Sequence, residues 1–210
     1  MNLLTRPTLR HVVLLALPTA FAIAGTTQAD DETASAVFAG GCFWCIEEAY
    51  DQVEGVKATT SGYSGGNTED PTYEQVTGGD TGHAEVVKVD YDPDQVDYET
   101  LLHVFWRNID PFAVDRQFCD KGSSYRSALF PMDAEQRELA EASKESVAER
   151  FDQPIATEIN DFEAFYPAEA YHQDYYIENP VRYRFYKSAC GRVERLEEVW
   201  GEEASATSAS

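Results

Sequence analysis

Apolar residues recur along this chain in short runs with two different periods. Val37-Phe38-Ala39 predicts a strand closed by the Gly40-Gly41 turn. From Cys42 to about Gln52 the stripe Phe43, Ile46, Ala49, Tyr50 and Val53 predicts a helix. Val56 to Tyr63 and Ala84 to Tyr91 read as strands. Between them, Gly62 to Gly82 holds six of the 13 glycines plus Pro71 and reads as one long loop. Asp97 caps a helix with Tyr98, Leu101, Leu102 and Phe105 at helical spacing. Asn108 to Ser123 reads as a second loop, Tyr125 to Phe130 as a strand, and Asp133 caps a helix to about Arg150. A strand is expected within Ile155 to Phe165, and an aromatic-rich helix from Ala168 to Glu178 that stops before Pro180. This order predicts one α/β (α+β) domain. Its mixed sheet carries packed helices, akin to a doubled split βαβ unit.

Composition narrows the function classes. The 210 residues carry 38 Asp+Glu against 16 Lys+Arg, a net charge of −22. So acidic a chain is excluded from phosphate-backbone binding as its main activity, and no nucleic-acid partner is expected. Arg6, Arg10 and His11 precede a 13-residue apolar segment, Val12 to Ala24, and Thr27-Gln28-Ala29 offers small residues where a signal peptidase cuts. Residues 1–29 are therefore expected to be a removed export signal, residues 30–201 one catalytic domain and residues 202–210 a disordered acidic tail. The segment is short for a bilayer span, and no span is expected after its removal. The expected compartment is the bacterial periplasm, where the four cysteines, Cys42, Cys45, Cys119 and Cys190, can form disulfides in any of three pairings.

Two clusters carry chemistry on residue types alone. In Gly40-Gly41-Cys42-Phe43-Trp44-Cys45, a cysteine at a helix start meets unpaired N–H groups and the positive end of the dipole, which favour a thiolate. The two glycines would let a substrate approach the backbone, and Phe43 and Trp44 would supply an apolar wall. In Gly82-His83-Ala84-Glu85-Val86-Val87, strand alternation sets Glu85 on the face of Val87, Val89 and Tyr91. Glu85 is then either a buried acid, kept protonated as a proton donor, or a strand-end residue reaching solvent. Tyr63 in Gly62-Tyr63-Ser64-Gly65-Gly66 and Tyr125 after Asp120-Lys121-Gly122 could each donate a hydrogen bond, or simply pack at a turn. His83, His103 and His172 are singletons without metal-ligand spacing, so no metal is expected.

Together with Ala168-Glu169-Ala170-Tyr171-His172-Gln173, these motifs resemble the A-class peptide methionine sulfoxide reductases over roughly residues 36–190. The resemblance implies a ferredoxin-like two-layer core and reduction of methionine-S-sulfoxide in oxidised proteins. It implies that Cys42 attacks the sulfoxide sulfur and that Glu85 protonates the departing oxygen. Tyr63 and Tyr125 would hydrogen-bond that oxygen, Asp120 would shape the pocket, and Phe43 and Trp44 would hold the S-methyl group. The sulfenic acid left on Cys42 condenses with a second thiol. An external thioredoxin-like dithiol then resets a monomeric enzyme that binds no cofactor.

Cys45 stands where many members have glycine, and the tail after Cys190 lacks the glycine-rich, second-cysteine pattern of some members. Two assignments of the resolving thiol follow: Cys45, with Cys119–Cys190 a structural disulfide, or Cys190. A rival reading is an exported thiol–disulfide oxidoreductase using Cys42-x-x-Cys45. A Cys₄ zinc module is disfavoured by the presence of a single Cys-x-x-Cys.

Overall fold

A computed structural model describes residues 33–208. The expected export segment, residues 1–29, lies outside the described residues. In chain order the elements are β1 (Ala34–Gly40), α1 (Phe43–Asp51), β2 (Val56–Ser64), α2 (Tyr73–Gly78), β3 (Ala84–Tyr91), α3 (Tyr98–Arg107), β4 (Arg116–Gln117) and β5 (Asp120–Lys121). There follow β6 (Ser127–Leu129), α4 (Ala134–Ala148), β7 (Glu158–Ile159), β8 (Phe165–Pro167), α5 (Tyr175–Glu178), α6 (Pro180–Ala189) and α7 (Arg192–Trp200).

Six strands form a sheet in the order β7-β6-β1-β3-β2-β8. Its centre, β6-β1-β3-β2, is antiparallel throughout, and α1 and α3 make the two crossovers. This is the ferredoxin-like arrangement that the family resemblance implies. β7 adds to β6 in parallel, so the sheet is mixed. β1 is apolar on both faces because both are covered. Ala36 and Phe38 face the helices, whereas Val37 and Ala39 face a second layer closed by Phe162 and Phe165. Phe38 is fully buried and stacks on Tyr50, with ring centroids 4.8 Å apart.

Several expectations need correction. The loop expected from Gly62 to Gly82 begins inside β2 and contains α2. Thr72 and Gln75 cap that helix reciprocally, so four residues of polar sequence suffice to start it. The loop expected from Asn108 to Ser123 contains the β4–β5 hairpin. The helix expected over Ala168 to Glu178 is split into a 3₁₀ turn, Ala170–His172, and α5, because Asp174 sits at φ 52° between them. Pro180 begins a helix as well as ending one, since a first-turn residue needs no N–H. α6 and α7 were not expected. The stretch expected to be a free tail packs as far as Ala206. Glu203 pairs with Arg107 at 2.5 Å and Arg150 at 2.6 Å, and Asn108 Nδ2 donates to the Ala206 carbonyl at 3.0 Å. Among the described residues no helix is long and apolar enough to cross a membrane.

Phe38→Ala should cost about 3–5 kcal/mol, the range for emptying an aromatic site that cannot collapse. The expected reading is a lower urea midpoint at unchanged slope.

Candidate active site

The Gly40-Gly41 turn delivers α1 to the end of the central strand. Gly41 adopts φ 83°, and a side chain there would collide with Gln117, so the glycine lets the β4 strand pack against the turn. The expected substrate approach at these glycines is thus replaced by protein. Gln117 is itself fully buried and exchanges two hydrogen bonds with the Asp110 backbone, at 2.8 and 2.9 Å. That exchange sets the height of the hairpin carrying Asp120.

Cys42 is the N-cap of α1, and its side chain caps nothing. The first free amide of the helix, Phe43 N–H, donates instead to Glu85 Oε2 at 3.0 Å. Glu85 is 2% exposed, so of its two readings the structure takes the buried one, on the face strand alternation assigns. Burial pushes its carboxyl well above the usual carboxylate range, and nearby Asp120 adds to the rise. The Phe43 amide opposes it only in part.

Cys42, Phe43, Trp44, Tyr73, Glu85, Asp120, Tyr125 and Tyr186 line a cavity of about 230 Å³. Of the residues expected at the site, Phe43, Trp44, Glu85, Asp120 and Tyr125 line the same cavity as Cys42. Tyr63 does not line the cavity: its hydroxyl donates to Glu169 at 2.8 Å. Tyr73, which the sequence reading missed, takes the place expected of Tyr63, and its phenol hydrogen-bonds that of Tyr125. Glu169 also accepts from the Tyr73 amide at 2.9 Å, so the Glu169–Gln173 segment positions the wall. His172 accepts from Trp44 Nε1 at 3.2 Å, and Tyr175 stacks on the Trp44 ring at 3.8 Å. His83 has a loop-holding role, accepting from the Gly66 amide at 3.0 Å.

The electrostatics correct one expectation. The helix start does not lower Cys42. Burial pushes its thiol well above the ordinary value, and the neighbouring Cys45 and Glu85 push the same way. The lowered thiol is Cys45, held to about 6 by the hydrogen bond from Cys42, with Arg192, Tyr183 and Lys187 assisting against its burial. The two are free thiols packed together with Tyr175 and Tyr183. Cys119 and Cys190 form a disulfide that ties β5 to the end of α6. Asp120, beside it, accepts from the Tyr186 hydroxyl. Burial raises the Asp120 carboxyl, although Tyr186 and Arg192 oppose the rise.

The model of the family described as "Peptide methionine sulfoxide reductase" matches residues 34–204. The chain belongs to that family. A peptide methionine sulfoxide reductase MsrA of Bacillus subtilis is 49% identical over 168 residues, spanning 79% of this chain and 95% of its own. A second MsrA, from Caulobacter vibrioides, is 45% identical over 196 residues, spanning 91% of this chain and 98% of its own. Among solved structures, reduced Mxr1 from Saccharomyces cerevisiae superposes with TM-score 0.66 at 36% identity, covering 70% of this chain and 86% of its own. The methionine sulfoxide reductase A of Corynebacterium diphtheriae gives 0.65 at 32% identity, covering 78% and 83%.

The free pair should show one thiolate appearing near pH 6, protonated below and ionised above. Ultraviolet thiolate absorbance across a pH titration should lose that step in Cys45→Ser and keep it in Glu85→Gln. A step unmoved by Cys45→Ser would contradict this assignment.

Proposed function

We propose that this chain reduces methionine-S-sulfoxide to methionine with Cys42 as the nucleophile, Glu85 as the proton donor and Cys45 as the resolving thiol. The observation that carries this reading is the buried acid. A carboxyl held protonated by burial lines the same cavity as a cysteine sulfur, and a sulfoxide needs both a nucleophile at sulfur and a proton at oxygen.

The steps balance on this chain's own groups. The S-methyl group lies against Phe43 and Trp44, and the Tyr73–Tyr125 pair meets the oxygen. Cys42 Sγ attacks the sulfoxide sulfur as its proton passes to the Cys45 thiolate. Glu85 protonates the oxygen, and the hydroxyl so formed passes to Cys42 Sγ as the S–O bond and the new S–S bond break, so that methionine leaves and Cys42 is left as a sulfenic acid. Cys45 then attacks Cys42 Sγ, forming the disulfide and expelling water. A dithiol protein of thioredoxin type supplies the two electrons that reopen it. Preformed placement of the donor lowers the barrier only as charge develops on oxygen, so Glu85 acts on the rate more than on binding.

Cys45 is favoured over Cys190 as the resolving thiol. It is hydrogen-bonded to Cys42, whereas Cys190 is bonded to Cys119. The disulfide-exchange reading accounts for Cys42 and Cys45 but gives no work to Glu85 or to the tyrosine pair. Residues 1–29 serve as an export signal and the enzyme works in the bacterial periplasm as a monomer. The basic start, the apolar run, the small residues before Asp30 and the presence of a disulfide all support that reading.

A single-turnover assay without added reductant should yield one methionine per enzyme from the S epimer and none from the R epimer. Cys42→Ser should abolish the yield. Glu85→Gln should slow it by about 10²–10⁴-fold with little change in substrate affinity. Wild-type speed in Glu85→Gln would remove the acid from the mechanism. Non-reducing peptide mapping after that turnover should join Cys42 to Cys45, and a Cys42–Cys190 link would refute the resolving assignment.

A further inference from the structure

α6 has no part in the attack on the sulfoxide beyond Tyr186 at the cavity wall, yet its inner face is built around Cys45. Tyr183, one turn into the helix, is 2% exposed and shares an apolar cluster with Cys42, Cys45 and Tyr175. Its hydroxyl donates to Glu48 Oε2 at 2.6 Å and also lies within hydrogen-bonding reach of Cys45. Lys187, one turn further along α6, pairs with the same Glu48 oxygen. The carboxylate therefore keeps a partner if the phenol turns away. The helix cannot drift from this position. Its far end is bonded covalently through Cys190 to Cys119, and Tyr186 is tied to Asp120.

A phenol has one proton to donate and two acceptors here. While Cys45 is a thiol, the better acceptor is the Glu48 carboxylate, and Cys45 can donate to the phenol oxygen. Once Cys45 is a thiolate, a desolvated anion on a buried sulfur needs a donor, and Tyr183 is the hydroxyl placed to supply it. We propose that Tyr183 is a positioning residue for the resolving step, moving its hydrogen bond from Glu48 to Cys45 as that sulfur ionises and holding it in line with Cys42. The inference rests on the reading of Cys45 as the resolving thiol.

The chemistry is closed within the pair. Cys45 gives up the proton it received in the first step, and the S–S bond forms as the Cys42 S–O bond breaks. The expelled hydroxide takes that proton and leaves as water. Cys42 is reduced from sulfenic acid to disulfide level, and Cys45 is oxidised from thiol.

The test is rapid-quench single turnover of the full chain with free methionine-S-sulfoxide, on both sides of the Cys45 midpoint. Methionine release and dimedone-trappable sulfenic acid are followed together. Tyr183→Phe should still release methionine, but disulfide formation should slow by roughly 10- to 100-fold, the effect of one hydrogen bond to a charged group. Sulfenic acid should accumulate, and the pH midpoint of disulfide formation should rise toward the ordinary thiol value of about 8.5. Glu48→Gln separates this from a packing role. It weakens the competing acceptor, so disulfide formation should run at least as fast as in the parent. Slowing of both variants together, or an unmoved midpoint in Tyr183→Phe, overturns the proposal. Should Tyr183→Phe fail to fold, Glu48→Gln alone decides: a rate at or above the parent's supports the switch, and a slower one overturns it. A parent enzyme that releases no methionine would instead count against the proposed function. A Cys42–Cys190 link would count against the resolving assignment.

Discussion

The hydrogen bond from the Phe43 amide to Glu85 is the constraint on which the site depends. It joins the first turn of α1 to the start of β3, so the nucleophile and the acid are fixed by secondary structure instead of by loops. It is also a weak enough interaction to leave the carboxyl neutral. One amide donor opposes the cost of burying charge without overcoming it. A second donor, or a basic side chain in the same place, would have held Glu85 as a carboxylate and left the sulfoxide oxygen without a proton. The glycine turn that brings Cys42 to this amide is in turn held by Gln117, so the β4–β5 hairpin and α1 are positioned against one another.

Around that bond the protein sorts its sulfurs by environment. Cys42 lies among groups that disfavour negative charge, whereas Cys45 lies among Tyr183, Lys187 and Arg192. Two thiols three residues apart on one helix therefore hold different protonation states, and each state suits a different step. Such a division needs α6, which brings Tyr183 and Lys187 to the back of the pair, and the start of α7, which brings Arg192. In a chain with more than twice as many acids as bases, residues 179–193 contain no acid at all.

Much of this was legible in the residues. Alternation along Ala84–Tyr91 set Glu85 on the apolar face while leaving a solvent-reaching strand end as the alternative, and the Gly-Gly-Cys junction located the nucleophile at a helix start. What was not legible depended on side chains meeting across long separations. Helix-start reasoning assigned the free amides to Cys42, but an acid 42 residues away takes the first of them. Tyr63 sits in the expected motif, yet Glu169, 106 residues later, takes its hydroxyl and leaves Tyr73 facing the cavity. Pro180 was read only as a stop, although a proline is as good a first helical residue. The i, i+3 pair Tyr183 and Tyr186, ahead of Cys190, was the available sign of an amphipathic helix turned toward the sulfurs.

The Cys119–Cys190 bridge has a bearing on how such an enzyme is handled. Cys119 is exposed, while Cys42 and Cys45 are 5% and 3% exposed. A small soluble reductant in large excess meets the anchoring cystine more readily than the one that turns over. It would thus cut loose the helix behind the catalytic sulfurs while appearing merely to drive the reaction. Turnover rates measured that way would then include molecules in which α6 has lost its covalent tether.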